Sequence, residues 1–506
     1  MTFPWLTTLI VLPALGAVLT ALVPSGLPLV AKKVALGAGV VVAALAIVAG
    51  VQYVMDGSPV QFTEEYAWIE GFGVHWALGA DGIRITMIVL AAVVTPIVLL
   101  AMWREADSEH RAAGPFFAMV LVLEAMVIGT FAAQDLLLFY ILFEAMLIPM
   151  YFLIGMYGGP QRRYAAMKFL LYNLLGGLIM LAAVIGIYVE ALRAGEGTFL
   201  LSDLIALDIS EGTQRWLFLG FMFAFAIKAP LWPFHTWLPD AAAEATPSNA
   251  AYLSGIVDKA GTFGMIALCL PLFPDASREF APYIVALAVV SILYGALLAI
   301  GQTDIKRLIA YTSISHFGFI VLGVFALTSQ AGTGATLYMV NHGLATVALF
   351  AVAGFMISRR GSRLVSDYGG VQKPAPMLSN SLLFFGLAGL ALPGLATFVS
   401  EFMVLVGTFS RYRAAAVIAT VGVILAALYI LILYQRTMTG PVREATAAFP
   451  DLRRRELLIV APLAALILII GIVPKPLIDV IDDGVQPVLD EVDEPDPEPI
   501  LEGVNQ

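Results

Sequence analysis

One cysteine in 506 residues excludes a disulfide, a Cys-based zinc site or an iron–sulfur cluster built within this chain. Cys269 stands in an apolar run with no histidine or acid at ligand spacing, so any electron carrier that serves the protein belongs to another chain. Charge is scarce too. Asp, Glu, Lys and Arg make up 13% of the residues and hydrophobic types 60%, more apolar surface than a water-soluble fold can hide. No basic stretch precedes the first apolar run, MTFPWLTTLIVLPALGAVLTALV, which reads as a first spanning helix and not as a secretory leader. No glycine-rich phosphate loop opens a helix, so nucleotide binding has no support, and no nucleic-acid partner is expected.

The net charge of -10 misleads. Ten of the 37 acids follow residue 476 without a base, leaving 27 acids against 27 bases in the rest. A run such as DEVDEPDPEP is too polar to offset its ordering entropy, and a solvated, mobile tail is expected there.

Apolar runs of spanning length, about 20 residues, begin at 3 and recur at 34–54, 83–103, 115–133, 135–157, 165–192, 214–245, 248–270, 280–300, 306–327, 334–358, 376–410, 414–436 and 456–474. The expected fold class is an all-α polytopic membrane protein of about fourteen transmembrane helices. Residues 58–79 alternate like strands and predict a small extramembrane hairpin. With the N-terminus outside, alternate loops hold seventeen of the 27 bases, from Lys32, Lys33, Arg104 and Arg111 to Arg453, Arg454 and Arg455. That bias places those loops in the cytoplasm and both termini on the outer side.

Two spans are interrupted alike. Pro230 and Pro233 follow Lys228, and Pro393 with Gly394 precede Glu401. Proline removes a backbone donor, so each break must face protein or water, and broken helices at matching places in two halves mark a transport path. Glu144 and Lys228 are 84 residues apart, His316 and Glu401 85. The match suggests two five-helix repeats, helices 4–8 and 9–13, inverted because five is odd.

An ion at the bilayer centre costs about 2.5–3.5 kcal/mol on insertion scales, which makes every buried charge a functional hypothesis. At a rise of about 1.5 Å per residue, Glu144, Lys228, Lys259, His316 and Glu401 all fall near mid-membrane, with His342 the shallowest of the row. A carboxylate beside a buried lysine switches that lysine's charge, so Glu144 and Lys228 read as a gate. Histidine suits the relay, and a terminal acid suits exchange with water. Each has a blander reading: helix glue for the Glu–Lys pair, carbonyl stabilisation at the break for Lys228, packing for the histidines. Glu124 and Asp258 also lie in or near the membrane. Lys168, close to Arg163, can snorkel, His235 and Trp237 can shape the break as readily as conduct, and the methionines and aromatics read as packing or lipid-facing.

These residues lie in ILFEAMLIPMYFLIGMYGGPQRRYAAMKFLLYNLLG, FAIKAPLWPFHTWLPDAAAEATPSNAAYLSGIVDKAGTFGM, DIKRLIAYTSISHFGFI and LALPGLATFVSEF. Over about residues 80–460 the chain resembles the antiporter-like subunits of respiratory complex I and of multisubunit cation/proton antiporters. It looks most like the M-type branch, because Glu401 stands where the L and N types and the antiporters usually carry lysine, and no sequence remains for the lateral helix of the L type. The resemblance implies an input pair in Glu144 and Lys228, a central relay in Lys259 and His316, a further relay in His342, and an output in Glu401. It leaves the acidic tail unexplained.

The expected domains are residues 1–114 with the hairpin, 115–270 and 279–436 as the two repeats, 437–475 as the last helix, and 476–506 as the tail. The resemblance implies a proton-translocating subunit of an NADH-quinone oxidoreductase in the bacterial cell (inner) membrane, with no redox catalysis of its own. NADH, FMN, Fe–S clusters and quinone would sit on other subunits, and the partners would be the L-type and N-type subunits and lipids. The rivals are a subunit of a Na+/H+ antiporter, a subunit of a hydrogenase-type membrane complex, and a structural spacer.

Overall fold

The computed structural model describes residues 3–105, 112–195 and 197–498; Arg111 and the last eight residues of the tail lie outside them. Among the described residues twelve helices are long and apolar enough to cross a membrane, from Trp5–Leu22 to Arg454–Ile472. They coincide with twelve of the expected spans. The other two, 214–245 and 376–410, are the interrupted ones, each built from helical pieces.

Glu211–Lys228 ends at the lysine, and the chain resumes as the helix Trp237–Glu244 after Pro230 and Pro233. Pro376–Gly389 and Ala396–Arg411 flank Pro393 in the same way. Carbonyls freed at such breaks need donors that lipid cannot supply. The Trp237 indole Nε1 donates to Ile227 O at 2.9 Å, and the Asn341 amide donates to Ala396 O at 2.7 Å. Trp237 therefore shapes the break, one of the two roles considered for it. Charges tie the short Trp237–Glu244 helix to its surroundings: Asp240 binds Lys168 at 2.7 Å and Arg307 at 2.6 Å, and Arg363 spans Glu244 and Asp304. Lys168 is thus held by an acid.

Burial is uneven. Every residue of the most apolar stretch of Pro247–Leu272 is buried, as are 94% for Ile305–Phe325 and 89% for Ser329–Arg360, against 22% for Arg454–Ile472. Lys259, His316 and His342 sit on these three interior helices, away from lipid. Two π-helical turns, Leu253–Val257 and Met265–Cys269, flank Lys259; such turns leave carbonyls free for side chains, and Lys259 Nζ donates to Ser254 O at 2.7 Å. Small residues let backbones approach where Pro247–Leu272 crosses Ser329–Arg360. A Cβ on Gly343 would stand 2.9 Å from Gly255 O, so this crossing carries Lys259 to His342.

The hairpin forms as expected, with Gln61–Ile69 antiparallel to Val74–Ala80. The first part of the tail is not loose. Residues Lys475–Val492 form an amphipathic helix that buries Ile481, Val485 and Val492. The helix and the residues after it meet partners: Thr333 Oγ1 donates to Asp482 at 2.8 Å, Arg278 donates to the backbone Val492 O, and Arg411 pairs with Glu494. Counting charge alone hid this helix, whose apolar residues recur every three or four positions. Three of the bases are held by local partners, Lys32 on Trp103 O at 2.6 Å, Arg455 on Leu100 O at 3.2 Å and Arg359 on Glu456 at 2.6 Å.

Candidate functional site

Five side chains from four helices form a nearly continuous row. Lys259 Nζ is 2.7 Å from His342 Nδ1 and 4.5 Å above the Phe317 ring. The His342 and His316 rings lie 5.3 Å apart between centroids, and His342 Nε2 is 3.3 Å from Ser313 Oγ, one turn from His316. His316 Nδ1 is 2.6 Å from Tyr338 Oη, and Tyr338 Oη donates to Glu401 Oε2 at 2.8 Å. Tyr429 Oη stands 3.4 Å from the other nitrogen of His316. Lys259, His342, His316, Tyr338 and Glu401 are all buried.

The local structure follows from the sequence. Asp304 caps the helix of His316 by accepting from Lys306 N and Arg307 N, and Thr328 caps the helix of His342 by accepting from Ala331 N. Residues four apart share a helix face, so His342 and Tyr338 point the same way from Ser329–Arg360. Tyr338 and Tyr429 correct the reading of the aromatics as packing or lipid-facing. The signal was present: a tyrosine one turn from a buried histidine must find a partner for its hydroxyl.

The other half of the row is looser. Glu144 lies where the span Leu136–Tyr157 is disturbed at Met146, and its carboxylate packs on the bare backbone of Gly177. Lys228 Nζ is 5.2 Å from the Phe143 ring centroid and has no hydrogen-bond partner among the described residues. The expected Glu144–Lys228 pair is therefore not in ion-pair contact; the helix break sets the lysine against an aromatic face instead. Lys228 interacts electrostatically with Asp258 and then Glu144, and Asp258 with Lys228 and Lys259. Asp258, whose two carboxylate oxygens are buried without hydrogen bonds among the described residues, thus couples electrostatically to both lysines. Glu144, Lys228, Asp258 and Lys259 alternate in sign. Uncompensated charge in a dry interior is costly, and this alternation limits the cost.

Two secondary candidates lie off the row. Glu124 is buried beside the Thr95–Tyr252 hydroxyl pair, itself 3.1 Å apart. His235 packs edge-on to Tyr294 at 5.0 Å and joins no member of the row. Among the described residues no three His, Cys, Asp or Glu side chains gather as metal ligands.

Fold and site define a polytopic membrane protein built around an interior row of ionisable groups. Residues 133–428 match the family described as NADH:quinone oxidoreductase/Mrp antiporter, TM. The chain is 49% identical to the NADH-quinone oxidoreductase subunit M of Mycobacterium tuberculosis over 530 aligned positions, covering 98% of this chain and 96% of that one. Its fold matches a chain of respiratory complex I from Thermus thermophilus with bound NADH at a TM-score of 0.88 and 30% identity, over 97% of this chain and 100% of the other. A chain of the Mrp complex from Dietzia sp. DQ12-45-1b shares the fold at a TM-score of 0.84 and 23% identity, over 97% and 98% of the two chains. This chain belongs to the NADH:quinone oxidoreductase/Mrp antiporter family of membrane subunits.

Proposed function

We propose that this chain is a proton-translocating membrane-arm subunit of an NADH-quinone oxidoreductase, of the M type. The observation that carries the proton path is the row from Lys259 to Glu401, whose first four members lie on the most buried helices and every link of which can accept and release a proton. Glu144 and Lys228 receive the proton and Asp258 joins them to Lys259. Lys259, His342 and His316 relay it, and Glu401 releases it. NADH, FMN, Fe–S clusters and quinone belong to other subunits in this reading, and L-type and N-type subunits are the neighbours. The distribution of bases supports outward termini in a bacterial inner membrane. The spacing of Glu144–Lys228 and His316–Glu401 supports two inverted units.

The fold is shared with an Mrp complex chain, so fold alone does not separate this reading from a sodium/proton antiporter; near-full-length identity to a subunit M favours the oxidoreductase. The test is purification from the native membrane, followed by NADH-driven acidification of proteoliposomes. A co-purifying peripheral arm that oxidises NADH is expected, with Glu144→Ala and Lys228→Ala complexes assembled but deficient in proton transport. Wild-type pumping by an assembled Glu144→Ala complex would sink the gate, and isolation without any NADH-oxidising arm would favour the antiporter.

A further inference from the structure

We propose that Tyr338 is itself a proton relay, its hydroxyl handing the proton between His316 and Glu401 without an intervening water. This rests on the proton-path reading and adds a residue to it. Oη lies 2.6 Å from His316 Nδ1 and 2.8 Å from Glu401 Oε2, and all three side chains are buried.

A phenol hydroxyl carries one proton and two lone pairs. With two close partners it has two arrangements. In the first, His316 Nδ1–H donates to Oη while the tyrosine proton points to Glu401. In the second, a protonated Glu401 donates to Oη while the tyrosine proton points to Nδ1. Passage from the first to the second breaks Nδ1–H, forms a new Oη–H, breaks the old Oη–H and forms Oε2–H. An imidazolium becomes neutral, a carboxylate becomes an acid, and the phenol is neutral before and after. A tyrosine's ordinary pKa, near 10, disfavours a standing phenolate, so the two transfers go together. The reset requires the hydroxyl to swing back after Glu401 has released its proton, and His316 to regain its Nδ1–H tautomer.

The row also gains a construction principle. His342 and Tyr338 come from one face of Ser329–Arg360, His316 from the neighbouring Ile305–Phe325 helix, and Glu401 from the second broken span. The middle of the path zigzags between two helices: His316 takes part in two of its four links, and Ser329–Arg360 in all four.

The experiment is Tyr338→Phe in the whole complex, reconstituted in proteoliposomes beside wild type and Glu401→Gln, reading protons moved per NADH oxidised. The expected result is a loss in Tyr338→Phe equal to that in Glu401→Gln. If Glu401→Gln loses pumping and Tyr338→Phe does not, water carries the proton and the proposal is overturned while the proton-path reading stands. Wild-type pumping in both variants removes the path itself. Should Tyr338→Phe fail to assemble, 3,5-difluorotyrosine at position 338 keeps the hydroxyl and lowers its pKa. A shifted pH profile of pumping then supports the relay, and an unchanged profile overturns it.

Discussion

Lys259 Nζ lies 2.7 Å from His342 Nδ1, a separation at which an ammonium and an imidazolium exclude each other. A charged lysine donates here only to a nitrogen without a proton, so His342 then carries its proton on Nε2, toward Ser313. The pair holds one mobile proton. Lys259→Met should slow proton passage by about a hundredfold or more. Lys259→Arg should fail equally, because guanidinium keeps its proton at all accessible pH. NADH-driven acidification of proteoliposomes checks both, and rescue by arginine would show that position 259 needs only a fixed charge.

Asp258 is the acid that interacts electrostatically with both lysines. Asp258→Asn keeps its volume and removes its charge, leaving Lys228 and Lys259 to repel across the gap. The expected outcome is an assembled complex with pumping reduced at least as far as in Glu144→Ala. Pumping at the wild-type level would show that the two halves communicate by another route.

Gly177 makes room for the Glu144 carboxylate, and a Cβ there would overlap that side chain. Gly177→Ala is therefore expected to reproduce the Glu144→Ala defect without touching an ionisable group. Gly37→Ala, where a Cβ meets nothing within 4 Å, is the control and should pump normally. If Gly177→Ala pumps normally as well, the carboxylate's position is not critical.

The Lys475–Val492 helix holds mainly by its apolar stripe. Ile481→Ala should cost about 2–5 kcal/mol of docking stability, as expected for a buried aliphatic truncation. Loss of the Arg411–Glu494 pair in Arg411→Ala should cost about 0–1 kcal/mol, since neither side chain is fully sequestered from water. Thermal inactivation of the detergent-purified complex ranks the two. The reverse order would make the helix an electrostatic strap.

Much of the architecture was legible in the sequence because lipid imposes a simple rule: a span must be apolar for about 20 residues and satisfy its own backbone. That rule located the spans, the two proline breaks, and the buried charges from Glu144 to Glu401. The strand alternation at 58–79 marked the hairpin. The acidic tail was misread because its charge was counted without its period, and Ile481 and Val485 mark a face that composition does not reveal.

The sequence by itself determined which ionisable side chains lie in the spans and on which spans they lie, since an ionisable group in an apolar run is conspicuous wherever the chain goes. Only the tertiary structure decided which of them meet. Contact depends on crossings such as Gly255 against Gly343 and on where a broken helix turns, neither of which has a local signature. That is why Lys228 stands against the Phe143 ring and makes no ion pair with Glu144. It is also why a neutral tyrosine at 338, invisible to a search for charge, completes the row.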